Sequence, residues 1–167
     1  MTNLFETVRL GCRHWVPEDI DDLYAVYADE EGARFVDDGQ PITWQECEEW
    51  MEVTLNNYRT RGYGMFAVTN RSDGCIVGFC GLVHPGGQDE MEVKYSFYKE
   101  HWGKGFASEV VPALLAYAAS SLSASRVIAT VASGNKPSQR VLEKSGMRFV
   151  EVEPDGDTLL YEWQPAS

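Results

Sequence analysis

Met91, Val93, Tyr95 and Phe97 alternate with Glu90, Glu92, Lys94 and Ser96. This period of two predicts a strand with one polar face. The pattern then changes to a helical one, from about Gly105 to Ser120. Upstream, Thr7 to Arg13 reads as a first strand. Pro17, Glu18 and Asp19 open a helix, with proline in the first turn and acids near its positive end. Ile20, Leu23, Tyr24 and Tyr27 make its apolar face. Thr43 and Glu46 have the spacing of a capping box. They open a second helix with Cys47, Trp50, Met51, Thr54 and Tyr58 on one face, stopped by Gly62. Gly64 to Asn70 and Cys75 to Val83 predict a hairpin. Arg126 to Val131 is a further strand, followed by a short helix from about Pro137. Met147 to Val152 and Thr158 to Trp163 predict a last hairpin.

The predicted order is βααβββαβαββ. It implies an α/β (α+β) sandwich around a mostly antiparallel sheet, with one strand–helix–strand unit. No repeat or linker interrupts the chain, so its 167 residues are expected to form a single domain over residues 1–167. Pro112 falls inside the third helix, where it removes a backbone donor and is expected to kink it.

Composition narrows the function classes. Apolar residues make up 44% and charged residues 24%, as in ordinary globular proteins. The longest apolar run, Val110 to Ala119, is too short to span a bilayer, and the N-terminus lacks the pattern of a secretory signal. Cys12, Cys47, Cys75 and Cys80 form no C-x-x-C pair and are expected to be reduced thiols of a cytoplasmic protein. His14, His84 and His101 show no ligand spacing, so no metal is expected. The net charge of −12 argues against nucleic-acid binding. Its distribution says more. Residues 99–148 carry seven Lys/Arg and three acids, a net of +4, which leaves −16 for the rest. An anionic ligand at one end and a cationic one at the other would suit this asymmetry.

The basic segment holds two anion-binding signals. Phe97 to Glu109 reads FYKEHWGKGFASE, an extended segment followed by a glycine turn and a helix. Gly103 and Gly105 permit close backbone approach to a ligand. The helix that follows offers unpaired N–H groups and the positive end of its dipole. Together these suit a phosphate or pyrophosphate. One strand further on, Asn135-Lys136-Pro137-Ser138 opens the short helix that ends at Gly146.

With both motifs in this order, nearly the whole chain resembles the GNAT superfamily of acyl-CoA-dependent N-acetyltransferases. The family's Q/R-x-x-G-x-G/A motif corresponds to Trp102-Gly103-Lys104-Gly105-Phe106-Ala107, with Trp in the first position. The run W-G-K-G-F-A-S-E, and Asn135-x-x-Ser138 followed by Val141 to Met147, are similar to the branch of ribosomal-protein N-terminal acetyltransferases (RimJ/RimL-like). The resemblance implies a GNAT-like central sheet with helices on both faces. It implies acetyl-CoA, or coenzyme A, as co-substrate and no metal. The pyrophosphate would meet backbone N–H groups from Gly103 to Ala107, with Trp102, Phe106 and Ser108 alongside. Lys104, Lys136 and Arg140 would supply charge, and Asn135 and Ser138 a further contact. The pantetheine arm would pair as an added strand along the segment ending at Phe97.

Acyl transfer to an amine requires removal of a proton from an ammonium of pKa roughly 10 and acceptance of charge by a thiolate of pKa roughly 8.5. Glu92 is the candidate general base, with Glu90 as its rival. A free backbone N–H near Tyr95 would serve as oxyanion donor if the strand splays as in the family. Many family members place a tyrosine acid where this chain has Leu142, and Ser138 is the candidate to replace it. The segment Phe35 to Pro41, with Asp37 and Asp38, and the second helix, with Glu46, Glu48, Glu49 and Glu52, would select a cationic acceptor. A protein N-terminus, a polyamine or another cationic small molecule fits. Trp44 and Trp50 are core or pocket residues. The protein would act as monomer or homodimer, without nucleic acid or membrane. The alternative is a non-catalytic acyl-CoA sensor or scaffold of the same fold.

Overall fold

The computed structural model describes residues 2–28 and 42–166. In place of one strand over Thr7 to Arg13 there are two, β1 (Phe5–Glu6) and β2 (Leu10–His14), paired antiparallel with Phe5 opposite Cys12. Thr7, Val8 and Arg9 turn the chain between them, closed by a 2.8 Å bond from the Thr7 N–H to the Leu10 carbonyl. Neither glycine nor proline marks this turn, so the sequence pattern runs through it unbroken.

A short 3-10 turn at Pro17–Asp19 leads into α1 (Ile20–Ala28). The Asp19 carboxylate accepts the Val16 N–H at 3.0 Å and pairs with Arg13 at 2.8 Å. The capping box then forms as the sequence predicts. Thr43 and Glu46 exchange side chain-to-backbone bonds of 3.1 Å and start α2 (Trp44–Arg61). Gly62 ends it at φ 83°, in the left-handed region that glycine tolerates.

The remaining elements are β3 (Met65–Asn70), β4 (Ile76–Val83), β5 (Met91–Phe97), α3 (Phe106–Ser121), β6 (Val127–Ala132), α4 (Lys136–Lys144), β7 (Arg148–Val152) and β8 (Thr158–Trp163). They build an eight-stranded sheet in the order β1-β2-β3-β4-β5-β6-β8-β7. Every neighbouring pair is antiparallel except β5 and β6. Helices cover both faces. Leu23 and Val26 of α1 and Cys47 and Met51 of α2 pack with Met65, Ala67 and Phe79 on one side. Val110, Val111, Leu114 and Leu115 of α3 and Leu142 of α4 pack with Phe66, Val68, Val93 and Phe97 on the other. α3 runs unbroken through Pro112, whose ring leaves the Ser108 carbonyl without its usual helical donor.

Two layers on a central strand change the reading of β5. At Glu92 its polar face is not solvated: that residue is only 5% exposed, as buried as Val93 beside it, whereas Lys94 and Ser96 are half-buried. The alternation identifies the strand correctly but not what covers the second face.

β5 and β6 are parallel for only two residue pairs, Met91 with Val127 and Glu92 with Ile128. Beyond Glu92, β5 stays with β4 while β6 stays with β8 over its full length, from Val127 opposite Trp163 to Ala132 opposite Thr158. The sheet therefore divides, and the rest of β5 faces an opening.

Candidate active site

The backbone of β5 turns donors into that opening. The Tyr98 N–H bonds to the Val77 carbonyl at 3.0 Å. The register with β4 continues without a shift to Glu92 opposite Val83. Antiparallel ladders alternate, so Ser96 and Lys94 bond to β4 while Tyr95 and Phe97 point their N–H and C=O groups the other way. The Phe97 carbonyl is taken by the Trp102 indole N–H at 3.0 Å. An extended ligand along this edge meets the Tyr95 N–H and C=O and the Phe97 N–H, but not the Phe97 carbonyl. Trp102 itself is 45% exposed.

Glu92 lies at the fork. Its carboxylate accepts the Thr130 hydroxyl from β6 at 2.8 Å and the Gln88 side-chain amide at 3.2 Å. The Lys94 ammonium is 3.9 Å away. Gln88 is aimed by its own turn, where the His84 Nδ1–H donates to the Gln88 carbonyl at 3.1 Å. A carbonyl only accepts, so in the neutral ring His84 Nε2 is left to accept the Tyr63 hydroxyl at 2.7 Å. Glu90 is exposed and precedes the strand. Gln88 and Thr130 carry no motif of their own: the pairing of β5 with β6 brings Thr130 to Glu92, and the turn before β5 brings Gln88.

The turn at Gly103–Gly105 has the conformation its glycines suggest. Gly103 and Gly105 adopt φ 77° and 80°. A side chain at Gly103 would meet nothing within 4 Å, and one at Gly105 only the Arg9 guanidinium at 3.5 Å. α3 begins at Phe106 without a side-chain cap, so the N–H groups of its first turn face outward with Ala107 and Ser108 half-buried behind them. This open, uncapped cradle fits a pyrophosphate.

Beneath it, Arg9 stacks on the Phe106 ring, 4.7 Å from its centroid. The Arg9 backbone N–H and Nε reach the two Glu109 carboxylate oxygens at 2.9 and 2.7 Å, and the Thr7 hydroxyl donates to the same carboxylate. Burial pushes the Glu109 carboxyl up, but these donors outweigh it and hold it below its ordinary range. Sequence motifs gave no hint of Arg9 here.

At α4 the Asn135 side chain accepts the Ser138 N–H at 3.2 Å, an N-cap. The Ser138 hydroxyl meets the Tyr95 hydroxyl at 2.5 Å. Burial raises the Tyr95 phenol to about 12, partly offset by that bond. Leu142 is 1% exposed and belongs to the core. Not every basic residue of the 99–148 segment serves the motifs. Arg126 and Arg148 both pair with Glu162, at the far edge of the sheet. Lys144 stands in the last turn of α4, away from Asn135. Lys104 lies 3.4 Å from His101 on the turn itself, and Lys136 and Arg140 are exposed at the start of α4.

The region expected to select the acceptor is partly described. Phe35 to Pro41, with Asp37 and Asp38, lies outside the described residues. Glu46 serves as a cap, and Glu48, Glu49 and Glu52 are exposed on α2. Trp50 packs edge-on against Trp15, whereas Trp44 is 43% exposed beside Tyr24. Among the described residues there is no cluster of metal-ligand side chains and no helix long and apolar enough to cross a membrane.

Residues 9–148 match the Acetyltransferase (GNAT) domain. The chain belongs to the GNAT acetyltransferases. Among curated GNAT relatives, the N-acetyltransferase YnaD of Bacillus subtilis is 28% identical, over 94% of this chain and 89% of that one. The B. subtilis protein YkkB is 32% identical, but the match spans 63% of this chain and only 62% of YkkB. An acetyltransferase from Agrobacterium tumefaciens superposes with a TM-score of 0.86 at 23% identity, covering 99% of this chain and 95% of that one. Two superposable structures carry ligands. RimL, a ribosomal-protein α-N-acetyltransferase, is in complex with coenzyme A (TM-score 0.82, 15% identity, 98% of each chain). Spermidine N-acetyltransferase from Vibrio cholerae holds coenzyme A and spermine (TM-score 0.78, 16% identity, 93% of this chain and 95% of that one). At these identities the structural likeness is one of fold. The split sheet and glycine turn are thus set in a GNAT framework.

Proposed function

We propose that this protein transfers an acetyl group from acetyl-CoA directly to a cationic primary amine in a ternary complex. The observation that carries this reading is the fork at Glu92. There a buried carboxylate and an unpaired strand edge offering the Tyr95 N–H lie three residues apart in one opening. Glu92 takes a proton from the ammonium. The neutral amine nitrogen then bonds to the thioester carbonyl carbon, and its second proton passes to water as the amide forms. The Tyr95 N–H donates to the carbonyl oxygen as it gains charge. The C–S bond breaks with its electron pair left on sulfur, and Ser138 lies on that side. Gly103 to Ala107 seat the pyrophosphate, with Lys104, Lys136 and Arg140 supplying charge, and holding both reactants in one geometry supplies much of the acceleration. Neighbours of the same fold that act on a ribosomal protein and on spermidine support an amine acceptor without choosing between a protein N-terminus and a polyamine. The −16 balance outside residues 99–148 favours a cationic one.

The test is thiol release from acetyl-CoA against a panel of ribosomal-protein N-terminal peptides, polyamines and aminoglycosides. At least one is expected to stimulate release and to gain 42 Da per transferred acetyl group, the mass of C2H2O by simple stoichiometry, about 42. Tight binding of acetyl-CoA by calorimetry with no release above hydrolysis for any amine would replace this reading with the sensor one.

A further inference from the structure

The Tyr95 and Ser138 hydroxyls join two elements that the divided sheet otherwise leaves apart. Tyr95 lies on β5 three residues past the last position paired with β6. Ser138 lies in the first turn of α4, held by the Asn135 cap. Their oxygens are 2.5 Å apart. Two hydroxyls can share only one proton between them. A phenol is far more acidic than an alcohol and is the better donor, so Tyr95 donates and Ser138 accepts. The one Ser138 proton is then turned away from Tyr95 and is free for a third group. Burial keeps the Tyr95 phenol protonated well above neutral pH, so this direction holds across the working range. Leu142, one turn further along α4, has no proton to give and is sealed in the core.

We propose that Tyr95 is a positioning residue for the leaving group: its hydroxyl fixes and polarises Ser138, whose O–H donates a hydrogen bond to the sulfur as the C–S bond breaks. The inference rests on the acetyl-transfer reading above and adds a side-chain role to a residue otherwise involved through its backbone. The electron pair of the C–S bond stays on sulfur. No proton leaves Ser138 or Tyr95, and the thiolate takes its proton from water afterwards. A serine is too weak an acid to protonate a thiolate, but a serine already accepting from a phenol is a stronger hydrogen-bond donor, since chained hydrogen bonds polarise one another.

Tyr95→Phe, Ser138→Ala and the double variant test the pair, with wild-type protein assayed in parallel on the best amine of the panel. Each single variant should lower kcat about tenfold, the scale of one hydrogen bond to a developing charge. The Michaelis constant for acetyl-CoA should stay within about twofold, because the bond matters only as charge develops on sulfur. The double variant should be no slower than the slower single one, as for residues acting as a unit. Ser138→Thr should restore most of the rate. Multiplying losses, or a Tyr95→Phe enzyme at wild-type kcat, would overturn the pairing. Should Tyr95→Phe fail to fold, Ser138→Ala decides alone, since a wild-type rate for it removes the donor from the mechanism. A wild-type protein that binds acetyl-CoA but turns over no amine overturns the acetyl-transfer reading, and this inference with it.

Discussion

Arg9 and Glu109, a hundred residues apart, meet through the backbone N–H and the guanidinium of the one and both carboxylate oxygens of the other. The contact fastens the first turn of α3 to the β1–β2 hairpin, directly under the Gly103–Gly105 turn. Glu109→Gln keeps the shape and loses the charge. It should cost about 1 kcal/mol at neutral pH, a value kept low because the Arg9 side chain is 45% exposed and solvent screens the pair. The Glu109 carboxyl is depressed in the folded protein. Its contribution is therefore present above the unfolded value, about 4.3, and is lost as pH falls through the lower folded one. Melting temperatures of wild type and Glu109→Gln should differ at pH 7 and converge in strong acid. A gap that stays constant with pH would show that the clamp is not ionic.

Gly105→Val should weaken coenzyme A binding and also lower stability. The position has φ 80°, which a β-branched residue reaches only at a cost of about 1–2 kcal/mol, and its Cβ would come to 3.5 Å from Arg9. Gly103→Ala, at φ 77° but with open space around it, should show the backbone strain without a new contact. Calorimetry with coenzyme A on both variants separates blocked approach from strain. Affinity lost at Gly105 and largely kept at Gly103 is the expected pattern. Undiminished binding by Gly105→Val would put the pyrophosphate elsewhere.

The parts of this protein that were legible in its sequence are those whose chemistry is local. The Thr43–Glu46 box, the Gly62 stop, the two left-handed glycines of the turn before α3 and the Asn135 cap each need residues within a few positions of one another. What the sequence hid is long-range. Glu92 stands out in the sequence as the candidate base, but its burial does not, because alternation says nothing about Thr130 and Gln88, which enclose its carboxylate. Arg126 and Arg148 look like part of a cofactor patch until β8 brings Glu162 between them. The Arg9–Glu109 and Tyr95–Ser138 contacts join segments that no spacing rule connects.

The acceptor should bind more weakly as salt is added. Residues outside 99–148 carry a net charge of −16, and Glu48, Glu49 and Glu52 are exposed on α2. Attractions between exposed charges are screened over about 10 Å at 0.1 M salt. At saturating acetyl-CoA, the acceptor's Michaelis constant should rise with ionic strength while kcat changes less. A best substrate that is neutral or anionic, or a salt-independent Michaelis constant, would reduce the acidic half to a solubility surface.

Glu92→Gln should remove the proposed base and leave the fold. The amide can turn its NH2 toward Thr130, whose hydroxyl can accept as well as donate, and keep its oxygen for the Gln88 amide. The melting temperature should therefore move little, and the affinity for coenzyme A should hold, since the cradle at Gly103 and Gly105 is untouched. The rate at neutral pH should fall about 100- to 10,000-fold, roughly 3–5 kcal/mol at the transition state. Near neutral pH almost all of an amine with pKa roughly 10 is ammonium, and the variant has no carboxylate to take its proton. As pH rises toward that value the free amine accumulates on its own, so the deficit should shrink steadily. The check is kcat/KM for wild type and variant from neutral to alkaline pH, with coenzyme A affinity measured alongside. A deficit that is the same at every pH would mean that Glu92 orders Gln88 and Thr130 rather than moving a proton. No deficit at all would return the search for the base to Glu90 or to water.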